Sequence, residues 1–135
     1  LLKCKYFRFK RAILPKNVPL KAAINQWANV GSFIHSLRTS DYPLMQRSLH
    51  DVIIEPHRSK LIPHYNELKE EALNAGALGA GISGSGPSVF SLSKGIETAN
   101  NVRDAITKVY SKTGIEFDVY VSRINTEGVQ IIQSN

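Results

Sequence analysis

The order of apolar patterns predicts an α+β domain in which strand, helices, strand, strand, helix and strand follow one another. Three observations carry this. Residues 2–6 and 117–121 alternate, residues 20–37 and 97–110 repeat apolar side chains at steps of three and four, and two short apolar stretches meet around Ser83-Gly84-Ser85-Gly86-Pro87. Extra helices in the first crossover aside, this is the split βαβ order of a ferredoxin-like sandwich. At 135 residues the chain is expected to form a single domain, residues 1–135, long enough to bury a core.

Taken in order, Leu2, Cys4 and Tyr6 face one way and Lys3 and Lys5 the other, as in a half-buried strand. Residues 8–14 suit a short helix ending before Pro15. Pro19 then opens a longer helix, since a first turn tolerates proline. Its face of Leu20, Ala23, Ile24, Trp27, Val30, Ile34 and Leu37 predicts burial, with Trp27 in the core. Asp41 is the expected N-cap of a second helix reaching about His50, with Leu44, Met45 and Leu49 apolar.

Residues 51–63 are punctuated by Pro56 and Pro63, which bias Glu55 and Ile62 away from helix and suggest a structured connection. A helix from Pro63 presents Tyr65, Leu68, Ala72 and Leu73 and closes near Gly76. Ala77–Ile82 and Ser88–Leu92 are expected to pair as strands. Glu97 to Tyr110 is a helix with Ala99, Val102, Ile106 and Val109 on one face. Phe117, Val119 and Val121 alternate as a strand, and Val129–Ile132 suits a last one after turn signals at Asn125 and Gly128.

Composition narrows the function classes. The longest apolar runs fall well short of the ~20 residues of a membrane-spanning helix, so no membrane partner is expected. A single cysteine, Cys4, excludes an internal disulfide and suits a reducing, cytoplasmic setting. Six of the 17 basic residues (Lys3, Lys5, Arg8, Lys10, Arg11, Lys16) fall in the first sixteen positions, and the remaining 11 balance the 11 acids. A nucleic-acid face is more widely spread and interleaved with aromatics, so no nucleic-acid partner is expected. The chain begins without Met and without a signal-peptide pattern, which suggests a piece of a longer protein.

Gly79-x-Gly81-x-x-Gly84 matches a dinucleotide fingerprint formally, but a helix precedes it and strand-like residues follow, the reverse of what that motif needs. The Ser83–Ser88 stretch is more informative. Gly84 and Gly86 permit positive φ and expose backbone N–H groups, while Ser83, Ser85 and Ser88 add hydroxyl donors, a combination suited to an anion. Taken alone, the same residues fit better a tight hairpin needing glycine for geometry only. His35, His50, His57 and His64 are interrupted by Pro56 and Pro63 and lack zinc-motif spacing, so no metal site is expected. No Ser–His pair stands out as a nucleophile and its base.

Around the loop, GALGAGISGSGPSVFSL (residues 76–92) resembles the third signature motif of the GHMP kinases, and in particular of members that phosphorylate homoserine. RAILPKNVPLKAAINQWANVG (Arg11–Gly31) and RSLHDVIIEPHRSKLIP (Arg47–Pro63) resemble two further segments, in the family's order and spacing. The resemblance implies a GHMP kinase C-terminal domain. It also implies transfer of the γ-phosphoryl of ATP, with Mg2+, to the side-chain hydroxyl of L-homoserine. By the same resemblance Arg11, Arg58 and Gly84 bind substrate, and Ser83, Gly84, Ser85, Gly86 and Ser88 lie near the phosphate. Arginine suits the task because its planar fork engages a carboxylate bidentately. Without the resemblance, Arg58 reads first as a surface ion pair with Glu55 or Asp51.

There are departures from the pattern. The family often has T-R-E-A-R where this chain has Phe7-Arg8-Phe9-Lys10-Arg11, and Phe7 cannot supply the threonine hydroxyl. The main ATP phosphate loop, of P-x-x-x-G-L-G-S-S-A type, does not occur in these 135 residues. An N-terminal ATP-binding domain is therefore expected outside the chain, and the chain alone is expected to be inactive. No carboxylate stands out as a catalytic base, and a homodimer remains open. Two rival readings are another small-molecule GHMP kinase and a non-enzymatic ferredoxin-like module binding through the basic N-terminal strand.

Overall fold

A computed structural model describes residues 12–131 of the chain. The expected strand at 2–6, Cys4, Arg11 and Ile132 lie outside the described residues, as does most of the expected helix at 8–14.

Helix α1 (Leu20–Thr39) starts after Pro19, whose φ of −56° suits the entry, and ends where Ser40 turns left-handed. Asp41 then caps α2 (Tyr42–Ser48): its Oδ1 accepts the Leu44 N–H at 2.9 Å. The Pro-punctuated connection contains a helical turn, α3 (Glu55–Arg58), followed by a 3-10 turn (Ser59–Leu61). Pro56 sits in the first turn of α3, where the missing N–H is needed by no carbonyl, so Glu55 is helical despite preceding a proline. Ile62, before Pro63, is extended, at φ −114° and ψ 109°.

Helix α4 (Tyr65–Asn74) leads into β1 (Gly79–Ile82), which pairs antiparallel with β2 (Val89–Leu92) in the register Gly79↔Leu92 to Ile82↔Val89. Residues 83–88 therefore close a hairpin. Helix α5 (Ile96–Tyr110) packs along α4. Where α4, β1 and α5 meet, Ala72, Ala77, Ala80 and Val102 form a buried cluster, flanked by Ala75 and Ile106. Small side chains let the helices approach the strand closely, and burial of this apolar surface holds the layers together. Tyr65, Leu68 and Val109 extend the same core.

Two expectations are corrected. The apolar stripe of α1 is not buried: Leu20, Ile24, Trp27, Val30, Ile34 and Leu37 are all exposed, Trp27 to 65%. The helix instead turns Ala22, Gln26, Asn29, Phe33 and Ser36 inward, a face roughly a third of a turn away. That face is held by polar contacts. Asn29 Nδ2 donates to the His50 carbonyl and Gln26 Oε1 accepts the Val52 N–H, each at 2.9 Å. Amphipathic spacing identifies residues that share a face; it does not say which neighbour covers that face.

The second correction concerns 117–121 and 129–131, which carry no strand. A strand exists through its partner's hydrogen bonds, and among the described residues β1 and β2 pair only with each other. Phe117 packs its ring at 5.5 Å from that of Tyr110, while Tyr120, Ile124, Val129 and Ile131 stay exposed.

Candidate active site

The hairpin loop is shaped by its own backbone. Ser83 N–H donates to Ser88 O at 2.8 Å, continuing the ladder, and Gly86 N–H donates to Ser83 O at 3.1 Å. Gly84 and Gly86 have φ of +60° and +71°, a region that side chains with a Cβ rarely adopt. Gly84 faces open space, whereas a Cβ at Gly86 would lie 3.3 Å from both Ile62 and Ile82. One glycine thus leaves the loop accessible, and the other lets it lie against Ile62. The amides of Gly84 and Ser85 have no hydrogen-bond partner among the described residues, so they remain available to an incoming anion.

Arg58, at the end of α3, meets this loop. Its Nη1 donates to the Gly84 carbonyl at 2.7 Å, across 26 residues of sequence. Its Nε is buried with no hydrogen-bond partner among the described residues. The ion pair with Asp51 or Glu55 that the sequence also allowed does not form. Asp51 Oδ1 accepts the N–H groups of Ile53 at 2.8 Å and Ile54 at 2.7 Å, fixing the turn that leads into α3. Glu55 pairs with Lys69 of α4, both side chains being largely buried. Both nearby acids are thus engaged, and the guanidinium stands beside the glycine loop with no ion-pair partner among the described residues.

Tyr65 lies under this arrangement, 2% exposed, and its hydroxyl has no partner in hydrogen-bond geometry. Burial first, and then the nearby Glu55 carboxylate, push its phenol well above the ordinary range. Tyr110 is raised by burial alone, and its hydroxyl donates to Pro63 O at 2.8 Å.

Of the residues picked from sequence, Arg58, Ser83, Gly84, Ser85, Gly86 and Ser88 come together at one end of the β1–β2 hairpin, and Arg11 lies outside the described residues. Sequence reasoning named Asp51 and Glu55 only as possible ion-pair partners of Arg58, and passed over Lys69. The turn at Asp51 was legible, since an Asp side chain readily accepts amides two and three residues on. Lys69 was not, because its partner is 14 residues away. Among the described residues no group of three or more His, Cys, Asp or Glu side chains is gathered as a metal ion requires, and no helix is long and apolar enough to cross a membrane.

The family of GHMP kinases, described by its C-terminal domain, matches residues 33–112, more than half of the chain. The chain belongs to the GHMP kinase C-terminal family. This GHMP kinase domain is α+β, with helices set on a small antiparallel sheet. It is similar to the homoserine kinase of Chlorobium phaeovibrioides, with 49% identity over 126 residues, covering 92% of this chain and 39% of that protein. The homoserine kinase of Pyrobaculum aerophilum is 40% identical over 118 residues, covering 87% of this chain and 39% of the relative. Among solved structures, homoserine kinase from Cytophaga hutchinsonii superimposes with a TM-score of 0.85 at 47% identity, covering 87% of this chain and 38% of that one. The chain therefore spans about 39% of the length of the curated relatives it matches.

Proposed function

We propose that the chain is the substrate-side part of a kinase that transfers the γ-phosphoryl of ATP to the hydroxyl of L-homoserine, giving O-phospho-L-homoserine. The observation that carries this reading is the Arg58–Gly84 contact at 2.7 Å, which joins the expected carboxylate-binding cation to the expected phosphate-side loop. A fixed guanidinium beside free loop amides is suited to a molecule carrying a carboxylate at one end and approaching a phosphate at the other. Holding the hydroxyl and the phosphoryl group together removes much of the entropic barrier. The similarity to proteins named homoserine kinase selects the substrate.

The residues described here fit the anionic groups of substrate and nucleotide through the Gly84 and Ser85 amides and the Arg58 fork. They offer no cluster of carboxylates for Mg2+. On this reading the metal arrives with ATP, where it neutralises phosphate charge, and its protein ligands lie outside residues 12–131. On this reading the main nucleotide loop belongs to a part of the kinase that this chain does not include, and the chain alone is inactive. Cytoplasmic threonine biosynthesis is the setting that this reaction implies.

The test is Arg58→Ala in the full-length kinase. Loss of a charged hydrogen bond, about 1.5–3 kcal/mol, raises the homoserine KM by about ten- to a hundredfold. The ATP KM changes far less. Equal effects on both would remove Arg58 from the substrate site.

A further inference from the structure

Arg58 is positioned by an arrangement that also keeps competitors away from it. Glu55 and Arg58 are three residues apart on one helical turn, a spacing at which opposite charges ordinarily pair. They do not pair here, because Glu55 is held by Lys69 from α4. The Glu55 and Lys69 side chains are 13% and 17% exposed, so little water screens their attraction. The second candidate, Asp51, is occupied by the Ile53 and Ile54 amides. Arg58 consequently points its Nη1 to the Gly84 carbonyl and makes no ion pair among the described residues.

We propose that Lys69 is a positioning residue for the kinase reaction: it sequesters the Glu55 carboxylate and so leaves the Arg58 guanidinium free for the carboxylate of the substrate. This rests on the substrate role proposed for Arg58. A lysine suits the role because its flexible stem and point charge reach Glu55 from a neighbouring helix without needing a planar fork. Without Lys69, the Glu55 carboxylate loses its charged partner in a poorly hydrated place, and Arg58, three residues on along the same helical turn, is a cation at pairing spacing. The substrate then competes with an intramolecular carboxylate.

Sequestration differs from simple scaffolding in one respect. If the ion pair merely braces α3 against α4, removing either charge is equally harmful. If Lys69 restrains a competitor, removing Lys69 is harmful, and neutralising Glu55 is not.

The experiment uses the full-length kinase with Lys69→Met, Glu55→Gln, the double variant and Lys69→Arg. The expected result for Lys69→Met is a rise of about tenfold in homoserine KM, the scale of one weakened charged contact, with ATP KM unchanged. Glu55→Gln keeps the wild-type homoserine KM, the double variant restores it, and Lys69→Arg retains it. A crystal structure of the Lys69→Met enzyme is expected to show Arg58 drawn from Gly84 to Glu55.

Equal KM increases for Lys69→Met and Glu55→Gln, or no rescue in the double variant, would overturn the proposal. So would an Arg58 that stays on Gly84 in the Lys69→Met structure. Should Lys69→Met fail to fold, Glu55→Gln alone decides, since a raised homoserine KM in that variant contradicts sequestration. If Arg58 swings to Glu55 while homoserine KM stays constant, sequestration stands, and the substrate role of Arg58 is what fails.

Discussion

The shelf formed by α3, α4 and the β1–β2 hairpin differs instructively from helix α1. Both have clear apolar periodicity in sequence. On the shelf, Tyr65, Leu68 and Ala72 repeat at helical spacing and all three are buried, while Leu73, expected on the same face, is exposed. On α1 the stronger pattern, from Leu20 to Leu37, faces outward, and the helix is anchored by Gln26 and Asn29. Periodicity is a local property of the chain, whereas burial depends on a second surface that periodicity cannot supply. The comparison also separates two kinds of attachment: the shelf is held mainly by apolar area removed from water, and α1 by a smaller apolar contact at Ala22 and Phe33 with directed hydrogen bonds beside it.

The largest expected effect is on the shelf. Leu68→Ala removes a side chain that is 4% exposed at the junction of α4 and α5, and should cost about 2–5 kcal/mol in urea unfolding. A loss under 1 kcal/mol would mean that the site collapses easily, weakening the contrast with α1. Next is Asp51→Ala, which strips the acceptor from two amides at the entry to α3 and should cost about 1.5–3 kcal/mol. Because α3 carries Arg58, homoserine KM should rise alongside.

Tyr65→Phe sharpens the comparison through pH. The buried hydroxyl lies beside the Glu55 carboxylate without a regular hydrogen bond among the described residues, so its removal should change stability near neutral pH by no more than about 1 kcal/mol. The Tyr65 phenol is raised from its ordinary 10.0 in the folded state, so its contribution is fully present below pH 10. As pH rises beyond that, the unfolded chain releases the proton while the folded one retains it, and stability falls. Tyr65→Phe should therefore lose less stability than wild type between neutral pH and pH 11. Parallel losses in thermal unfolding would show that Tyr65 ionises freely in the folded protein. The smallest effect belongs to α1: Trp27→Ala should change unfolding free energy by no more than about 0.5 kcal/mol. A larger loss would place Trp27 in a packed interior.

Much of the candidate site was legible because its signals are local. Gly84 and Gly86 announce positive φ, the flanking apolar stretches announce strands, and together they define a hairpin with its loop at 83–88. Asp41 as a cap follows from side-chain chemistry next to the helix it serves. Arg58 was singled out through a family resemblance, since its residue type alone fitted a surface ion pair better. The expected strands at 117–121 and 129–132 show the opposite case. Alternation in Phe117, Val119 and Val121 is real, but pairing needs an available edge, and no partner is paired with that stretch among the described residues.

By itself, then, the sequence determined where the longer helices begin (α3, starting at Glu55, was read as a connection), where the hairpin turns and which residues can take unusual backbone angles, because each depends on interactions within a few residues. Only the tertiary structure decided which face of α1 turns inward, which acid neutralises which base, and what Arg58 touches. Those outcomes depend on groups 14, 21 and 26 residues apart, between Glu55 and Lys69, Asn29 and His50, and Arg58 and Gly84. Charges choose partners by distance and local dielectric, and neither exists until the helices and the hairpin have packed.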